Sequence, residues 1–251
     1  MNTQVPTRLV ASVSRALQIV ELLIASPTHE LGVTEIAHEL GVVKSTAHQL
    51  LATLAAHGFV ENNGTSGRYQ LGVRAMEAGA VASSHAGLGP AVLPLLEALV
   101  GEVHETCSIG VLTGHSVSLV QRVEAESVLR VDLRVGTQLP IQTSAIGRII
   151  LAKMPPERRK QILDALDMSN AERRKTDKAI EIARQEGCAI VRNIPVEGIS
   201  AIAVALQTST RAPLAGLVVA APSFRFNPDA FRSALGRTAA QIAARAEARQ
   251  R

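Results

Sequence analysis

"GVVKSTAHQLLATLAAHGFV", Gly41 to Val60, is the stretch on which the reading of this chain turns. Ala47, Leu50, Leu51 and Leu54 recur at helical spacing and define the inward side of a helix that opens at Lys44 or Ser45 and runs to His57, where Gly58 closes it. Burial gives no reason for the polar residues at its head. Turning by about 100° per residue, the helix points Ser45, Gln49 and Ala52 outward and sets Thr46, His48 and Thr53 on the shoulders.

Working upstream, "VSRALQIVELLIAS" spaces Val13, Leu17, Val20 and Ile24 as one helical stripe, with Ala16 and Leu23 beside it, and predicts a helix over 13–26 that stops at Pro27. "VTEIAHEL" follows, with Thr34 as N-cap, Ile36, Ala37 and Leu40 inward, and Gly41 as its end. Two helices joined by a tight Gly-bearing turn are a helix-turn-helix candidate. Downstream, "FVENNGTSGRYQLG" reads as a hairpin, with short strands at Phe59–Asn62 and Arg68–Leu71 around a Gly/Asn/Ser tip. Three helices and a hairpin make a winged helix-turn-helix over 1–72.

In such a unit the exposed N-terminal half of the third helix is where side chains meet base edges in the major groove. Lys44, Ser45 and Thr46 suit phosphate and sugar contacts, Gln49 can pair bidentately with adenine, and His48 and Thr53 flank that face. Arg68 and Tyr69 stand beside the wing tip, within reach of the DNA backbone or minor groove. The competing reading makes these residues the solvated face of a small helical domain. The turn spacing, the wing and the basic residue at the helix start favour double-stranded DNA.

Composition adds bounds. The chain has 251 residues, 47% apolar and 19% charged, as expected of an ordinary globular protein. With one Tyr, four Phe and no Trp, the core is aliphatic and the usual stacking platform for single-stranded nucleic acid is missing. The net charge of +4 does not itself point to DNA: in residues 1–75, Arg8, Arg15, Lys44, Arg68 and Arg74 are cancelled by Glu21, Glu30, Glu35, Glu39 and Glu61. The excess lies in Arg158-Arg159-Lys160, Arg173-Arg174-Lys175 and the C-terminus, which read as solvated helix faces. Cys107 and Cys188 stand far apart with no second pair, which excludes a sequence-evident zinc knuckle or disulfide framework and fits a reducing compartment. His29, His38 and His57 read as surface or packing residues, since no carboxylate or Cys lies at metal-ligand spacing, and no metal or cofactor is expected. No apolar run reaches membrane-spanning length, and Arg15 and Glu21 interrupt the segment a signal peptide would need, so a cytoplasmic location is expected.

The Ala-rich stretch 73–88 suits a connecting helix, and 89–251 changes character. Strand patterns appear in "TCSIGVLTG", "SVSLVQRVE" and "LRVDLRVG", helices over about 144–154, 156–166 and 176–187, and further strands in "CAIVRNIPV", "ISAIAVAL" and "LAGLVVAAP". A last helix opens with Asn227 as cap and Pro228 in its first turn. Six strands with peripheral helices describe an α+β sensor-like domain.

"SVSRALQIVELL", "TEIAHELGVVKSTAHQLLATLAAHGFVENN", "GRYQLG" and "GTQLPIQTSAIGRIILAKMP", in that order along nearly the whole chain, resemble the IclR family of bacterial transcriptional regulators. The resemblance implies an N-terminal winged helix, a linker helix, a GAF-like effector-binding domain, and dimers or tetramers on palindromic operators. It also implies an effector pocket lined here by Gln142, Thr143, Ser144 and Ala145, by Val191, Ile199 and Ala201, and by Val218 and Ala220 on the late strands. A helix N-terminus with free amides is a carboxylate site in its own right, so Thr143, Ser144 and Ala145 make a sensible anion cradle. Arg130 and Arg134 alternate along one strand, either as counter-charge or as exposed sheet-face arginines. The family usually has Arg at the position of Gln49 and a longer polar residue at that of Ala52, so the resemblance implies DNA binding without giving the operator sequence. Ala201 stands where many relatives carry Cys, and "LVVAA" where they often carry Ser. The pocket is thereby more apolar, and an aromatic or branched carboxylic acid is expected rather than glyoxylate or pyruvate.

The expected function is a ligand-responsive DNA-binding regulator, more often a repressor, of a catabolic operon. The alternatives are a GAF-like redox enzyme and a winged helix that binds protein. The first needs reactive thiols, and neither Cys107 nor Cys188 has a neighbour that would lower its pKa. The second needs an apolar or acidic third-helix face, against which Lys44, Ser45 and Gln49 argue. No Ser-His-Asp order, phosphate loop or carboxylate pair suggests catalysis.

Overall fold

The computed structural model describes residues 9–127, 133–194, 196–207 and 214–248. The chain divides into two compact units between Ala82 and Ser83, inside the stretch expected to be a linker.

The first unit holds α1 (Ala11–Ala25), α2 (Val33–Glu39), α3 (Lys44–Ala56), the strands β1 (Val60–Asn62) and β2 (Tyr69–Leu71), and most of α4 (Val73–His85). Its core is one small cluster of Ile19, Leu23, Ile36, Ala37, Ala47, Leu51 and Val60. The stripe at Val13, Leu17 and Ile24 is not the packed face: these residues are exposed, and Ile19 and Leu23 dock instead. Helix α1 is apolar on two sides, and helical period alone does not rank them. Helix α2 is capped by Gly32 rather than by Thr34, because the Glu35 carboxylate accepts the Gly32 N–H at 2.6 Å. Between α2 and α3 the chain turns at Gly41, whose φ of +62° is a left-handed conformation suited to glycine. Val42 then donates to the Ala37 carbonyl at 3.0 Å and fixes the entry into α3.

The second unit is built on a six-stranded antiparallel sheet in the order β5-β4-β3-β8-β7-β6. Its strands are β3 (Thr106–Thr113), β4 (Ser116–Val123), β5 (Gln138–Pro140), β6 (Cys188–Arg192), β7 (Ile199–Leu206) and β8 (Ala215–Pro222). Both faces are covered, so "ISAIAVAL" and "AGLVVAAP" are apolar almost throughout. Helices α5 (Leu93–Val103) and α9 (Pro228–Ala248) pack one face onto Cys107, Ile109, Ile202 and Leu217. Helix α6 (Ala145–Lys153) covers the other with Ile146, Ile149 and Ile150, backed by α8 (Asn170–Glu186), and α7 (Pro156–Asp164) adds Ile162 and Leu163 to that layer.

Two expectations need correction here. The strand expected over 129–136 overlaps residues 128–132, which lie outside the described residues, and Leu133–Gly136 is not strand; the third strand is β5. A turn at Arg134–Thr137, with Gly136 at φ +90°, ends any extended run before Gln138. Helix α8 begins at Asn170 rather than at 176, because Ser169 and Glu172 form a reciprocal capping box.

Candidate nucleic-acid interface and effector pocket

Helix α3 buries Ala47 and Leu51, half-buries Leu50 and Leu54, and leaves Lys44, Ser45, His48, Gln49, Ala52 and Thr53 exposed, with Thr46 intermediate. The Thr53 hydroxyl turns back onto the Gln49 backbone carbonyl at 2.9 Å, and the Gln49 side chain is exposed. Val43 gives α3 no side-chain cap, and the first turn opens with Lys44 and no acidic residue. Free first-turn amides beside a lysine are a phosphate-binding arrangement.

The hairpin is braced by an acidic residue that the sequence reading did not single out. Glu30, in the turn after α1, accepts from Asn63 Nδ2 at 2.9 Å and from the Ser66 hydroxyl at 3.5 Å, and its carbonyl accepts from Arg68 Nη2 at 3.3 Å. Arg68 stands at the base of the wing and pairs through Nη2 with Glu35 at 2.7 Å. Tyr69 is half-buried against the small core and exchanges backbone hydrogen bonds with Leu31 at 2.8 and 3.0 Å. The guanidinium and ring read as wing-tip contacts thus hold the wing to the body in the free protein. An N-x-x-x-x-R pattern facing an upstream Glu is too general a signal to have revealed this.

In the second unit a pocket of about 60 Å³ opens between α6 and the sheet. Of the residues expected to line it, Ser144, Ala145, Val191, Ile199, Ala201, Val218 and Ala220 do so. Gln142 and Thr143 are half-buried and outside the lining. The turn that carries them faces elsewhere: the Gln142 carbonyl accepts from Arg148 Nε at 3.2 Å on the outer side of α6. Arg130 lies outside the described residues, and Arg134 is exposed beyond the sheet.

The lining also includes residues that strand alternation did not bring forward: Ser108, Leu119, Arg122, Leu139 and, at the rim, Leu133, Ile194 and Val196. The register explains Leu119 and Arg122. Arg122 lies opposite Ser108 and Leu119 opposite Gly110, with a bulge between Ile109 and Gly110. That bulge absorbs one residue of β4, so two side chains an odd number of positions apart share the face under α6. Ser144 is the N-cap of α6, its hydroxyl accepting the Gly147 N–H at 3.1 Å. The amides of Ala145 and Ile146 have no acceptor among the described residues.

Both cysteines are buried, and burial pushes both thiols up from their ordinary range, which opposes a redox role. Among the described residues no cluster of His, Cys, Asp or Glu is set to hold a metal ion, and no single helix is long and apolar enough to cross a membrane.

An exposed polar helix in a winged helix-turn-helix, joined to an α+β unit with a pocket under one helix, is the build of a one-component transcriptional regulator. The comparisons make this specific. The IclR helix-turn-helix domain matches residues 12–64, and the bacterial transcriptional regulator IclR C-terminal domain matches residues 81–246. The chain therefore belongs to the IclR family. It is 31% identical over 212 residues to the glycerol operon regulatory protein of Streptomyces coelicolor, covering 82% of this chain and 83% of the relative. To the HTH-type transcriptional regulator XynR of Escherichia coli it is 28% identical over 202 residues, 78% and 80% of the two chains. Among solved structures, an IclR-type regulator from Alicyclobacillus acidocaldarius superposes with a TM-score of 0.78 at 24% identity, covering 95% of this chain and 100% of that one. An IclR homolog from Microbacterium hydrocarbonoxydans, complexed with 4-hydroxybenzoate, superposes with a TM-score of 0.77 at 21% identity, covering 95% and 98%. These relatives are named as regulatory proteins.

Proposed function

We propose that this regulator represses a catabolic operon and releases, or alters its grip on, the operator when a small organic acid with an apolar body enters the pocket under α6. The observation that carries this reading is the pocket itself: mostly aliphatic walls with a few convergent polar groups, in a chain whose other unit presents a DNA-reading helix. That a relative of the same fold was crystallised with 4-hydroxybenzoate supports an aromatic acid.

On the DNA side, Lys44, Ser45 and Thr46 hold phosphates, Gln49 reads an adenine, and His48 and Thr53 flank it. Arg68 and Tyr69 set the wing's position. The protein acts as a homodimer or tetramer in the cytoplasm. The exposed apolar side chains of α1, Val13, Leu17 and Ile24, and of α4, Val73, Met76 and Val81, offer a second copy a surface a lone chain would leave wet. Two heads held at a fixed spacing match a palindromic operator, and a ligand that favours another spacing breaks register.

The test is a polarisation titration on the intergenic DNA beside the chain's own gene, at two salt concentrations, with a panel of aromatic and aliphatic acids. Salt-sensitive, sequence-selective binding that one acid alters is the expected result. Selective binding that no acid alters removes the effector part of the reading, and no selective binding removes the whole of it.

A further inference from the structure

A second cavity, of about 200 Å³, lies at the β6 edge of the sheet and shares no residue with the pocket under α6. It is larger than the roughly 150 Å³ that holds a benzene ring. Strand β6 pairs with β7 on one side only, and the ladder shows which of its backbone groups face outward. Asn193 donates to the Ile199 carbonyl at 2.8 Å, so in the same register Val191 and Ala189 turn their amides toward β7. The amide of Ile190, between them, points away from β7 on the side of the cavity that Ile190 lines, and it has no acceptor among the described residues.

Two guanidinium groups flank this edge. Arg148 reaches it from α6, on one face of the sheet, and Arg232 from α9, on the other. Arg148 is half-buried; its Nε donates to the Gln142 carbonyl at 3.2 Å, and no carboxylate pairs with it among the described residues. Burial accordingly holds this guanidinium below its ordinary pKa, with no counter-charge to offset the lost hydration. Arg232 gives Nη1 to the Glu186 carboxylate at 2.8 Å and leaves its buried Nε without an acceptor. Such a donor is costly and rare in a folded protein. With Glu186 counted, the cavity sets two cations against one anion, and its other walls include the aliphatic side chains of Ala179, Ile182, Ala183 and Ile190.

We infer that the β6 edge is a second ligand site, one that takes the phosphate group of a small phosphate monoester with a short aliphatic body. A carboxylate offers its oxygens in one plane. Donors that arrive from both faces of a sheet and from its edge surround a tetrahedral anion instead, and guanidinium forks match phosphate oxygens. The aliphatic walls then cover the carbon chain of the ester, a contribution that inorganic phosphate cannot draw on. The site stands on the geometry of the second unit alone and does not depend on what enters the pocket under α6.

Calorimetry on the full-length protein in phosphate-free buffer, with propyl phosphate, inorganic phosphate, butyrate and 1-propanol, tests this. Hydrogen exchange with and without propyl phosphate locates the binding. The expected result is that propyl phosphate binds severalfold more tightly than inorganic phosphate or butyrate, that 1-propanol does not bind, and that exchange slows at the Ile190 amide but not at Ala145 and Ile146. Arg148→Gln, which keeps a donor for the Gln142 carbonyl but loses the charge, weakens propyl phosphate about tenfold or more. Arg148→Lys keeps part of the affinity, and Arg232→Gln lowers it severalfold. The wild-type exchange pattern stands even where a variant does not fold. The inference is overturned if propyl phosphate does not bind, if butyrate binds as tightly, if protection appears at Ala145 and Ile146 instead of Ile190, or if a folded Arg148→Gln protein binds as the wild type does. Operator binding of the ligand-free protein, measured on the same samples, bears on the regulator reading alone.

Discussion

The recognition helix and the effector pocket both set a few polar groups against aliphatic packing, but they are assembled over different ranges of chain. The exposed face of α3 is drawn from Lys44–Ala56 and rests on a single small cluster of apolar side chains. The pocket joins Ser108, Arg122, Ala145, Val191 and Val218, residues brought together by a six-stranded sheet with packed layers on both faces. The local site is therefore simple to form and lightly held, while the distant one depends on register and is deeply held.

The largest effect is expected at Gly147. A Cβ there would meet the Ile141 carbonyl oxygen at 2.1 Å and its Cα at 2.5 Å, so backbone has to move. Gly147→Ala should cost more than about 3 kcal/mol, above the usual range for overpacking, and should fall on the second unit. Urea unfolding with hydrogen exchange would show α6 and β8 amides losing protection while α3 keeps its own. An unchanged midpoint would mean that the turn before α6 yields freely, and that the pocket is not deeply held.

Next come matched truncations in the two cores. Leu51 and Ile149 are both fully buried, and Leu51→Ala and Ile149→Ala should each cost about 3 kcal/mol. The same loss has unequal consequences. In the thin first core it should remove α3 protection and operator binding together; in the layered second unit it should lower the midpoint and leave a folded protein. If either variant unfolds both units in one transition, the two are a single cooperative body and the contrast fails.

This contrast also explains what could be read in advance. The winged helix-turn-helix and its exposed residues follow from helical period and the turn at Gly41, both local signals. Most aliphatic pocket walls were reachable through the family resemblance. Arg122 was not, because its face depends on a bulge between Ile109 and Gly110 that strand alternation does not announce. Alternation favoured Arg130 and Arg134 instead, in a stretch whose described part is not strand. The packed face of α1 is hidden from the sequence for a different reason: a helix with two apolar sides satisfies the periodicity rule twice, and only packing chooses between them.

Smaller and more local is the effect expected at the recognition face. Gln49→Ala should cost about 1–3 kcal/mol at one base pair and flatten preference there, measured against operators substituted at each position. Lys44→Ala should instead weaken binding evenly across sequences and lower the salt slope by about 1. Equal losses on all sequences for Gln49→Ala would make it a backbone contact and leave base reading to its neighbours.

The smallest effect tests how lightly the wing is held. The Gly32 N–H, and after it Arg68, keep the Glu35 carboxyl below its ordinary 4.5. A carboxyl with a lowered folded-state pKa contributes fully above its unfolded value and loses that contribution as pH falls through the folded one. Wing amides from Asn63 to Arg68 should therefore lose exchange protection on acidification below about 4.5, before α3 or the second unit responds. Glu35→Gln should show the reduced wing protection already at pH 7 and little further change over that acid window. The pair is exposed and open to screening, so raised salt should mimic part of the substitution. A wing indifferent to acid, salt and Glu35→Gln would show that β1–β2 pairing and the hydrogen bonds from Asn63 and Ser66 to the Glu30 carboxylate hold it without Arg68. Arg68 would then be available to swing from Glu35 onto a phosphate at no structural cost, returning it from the frame of the wing to the DNA-contacting face.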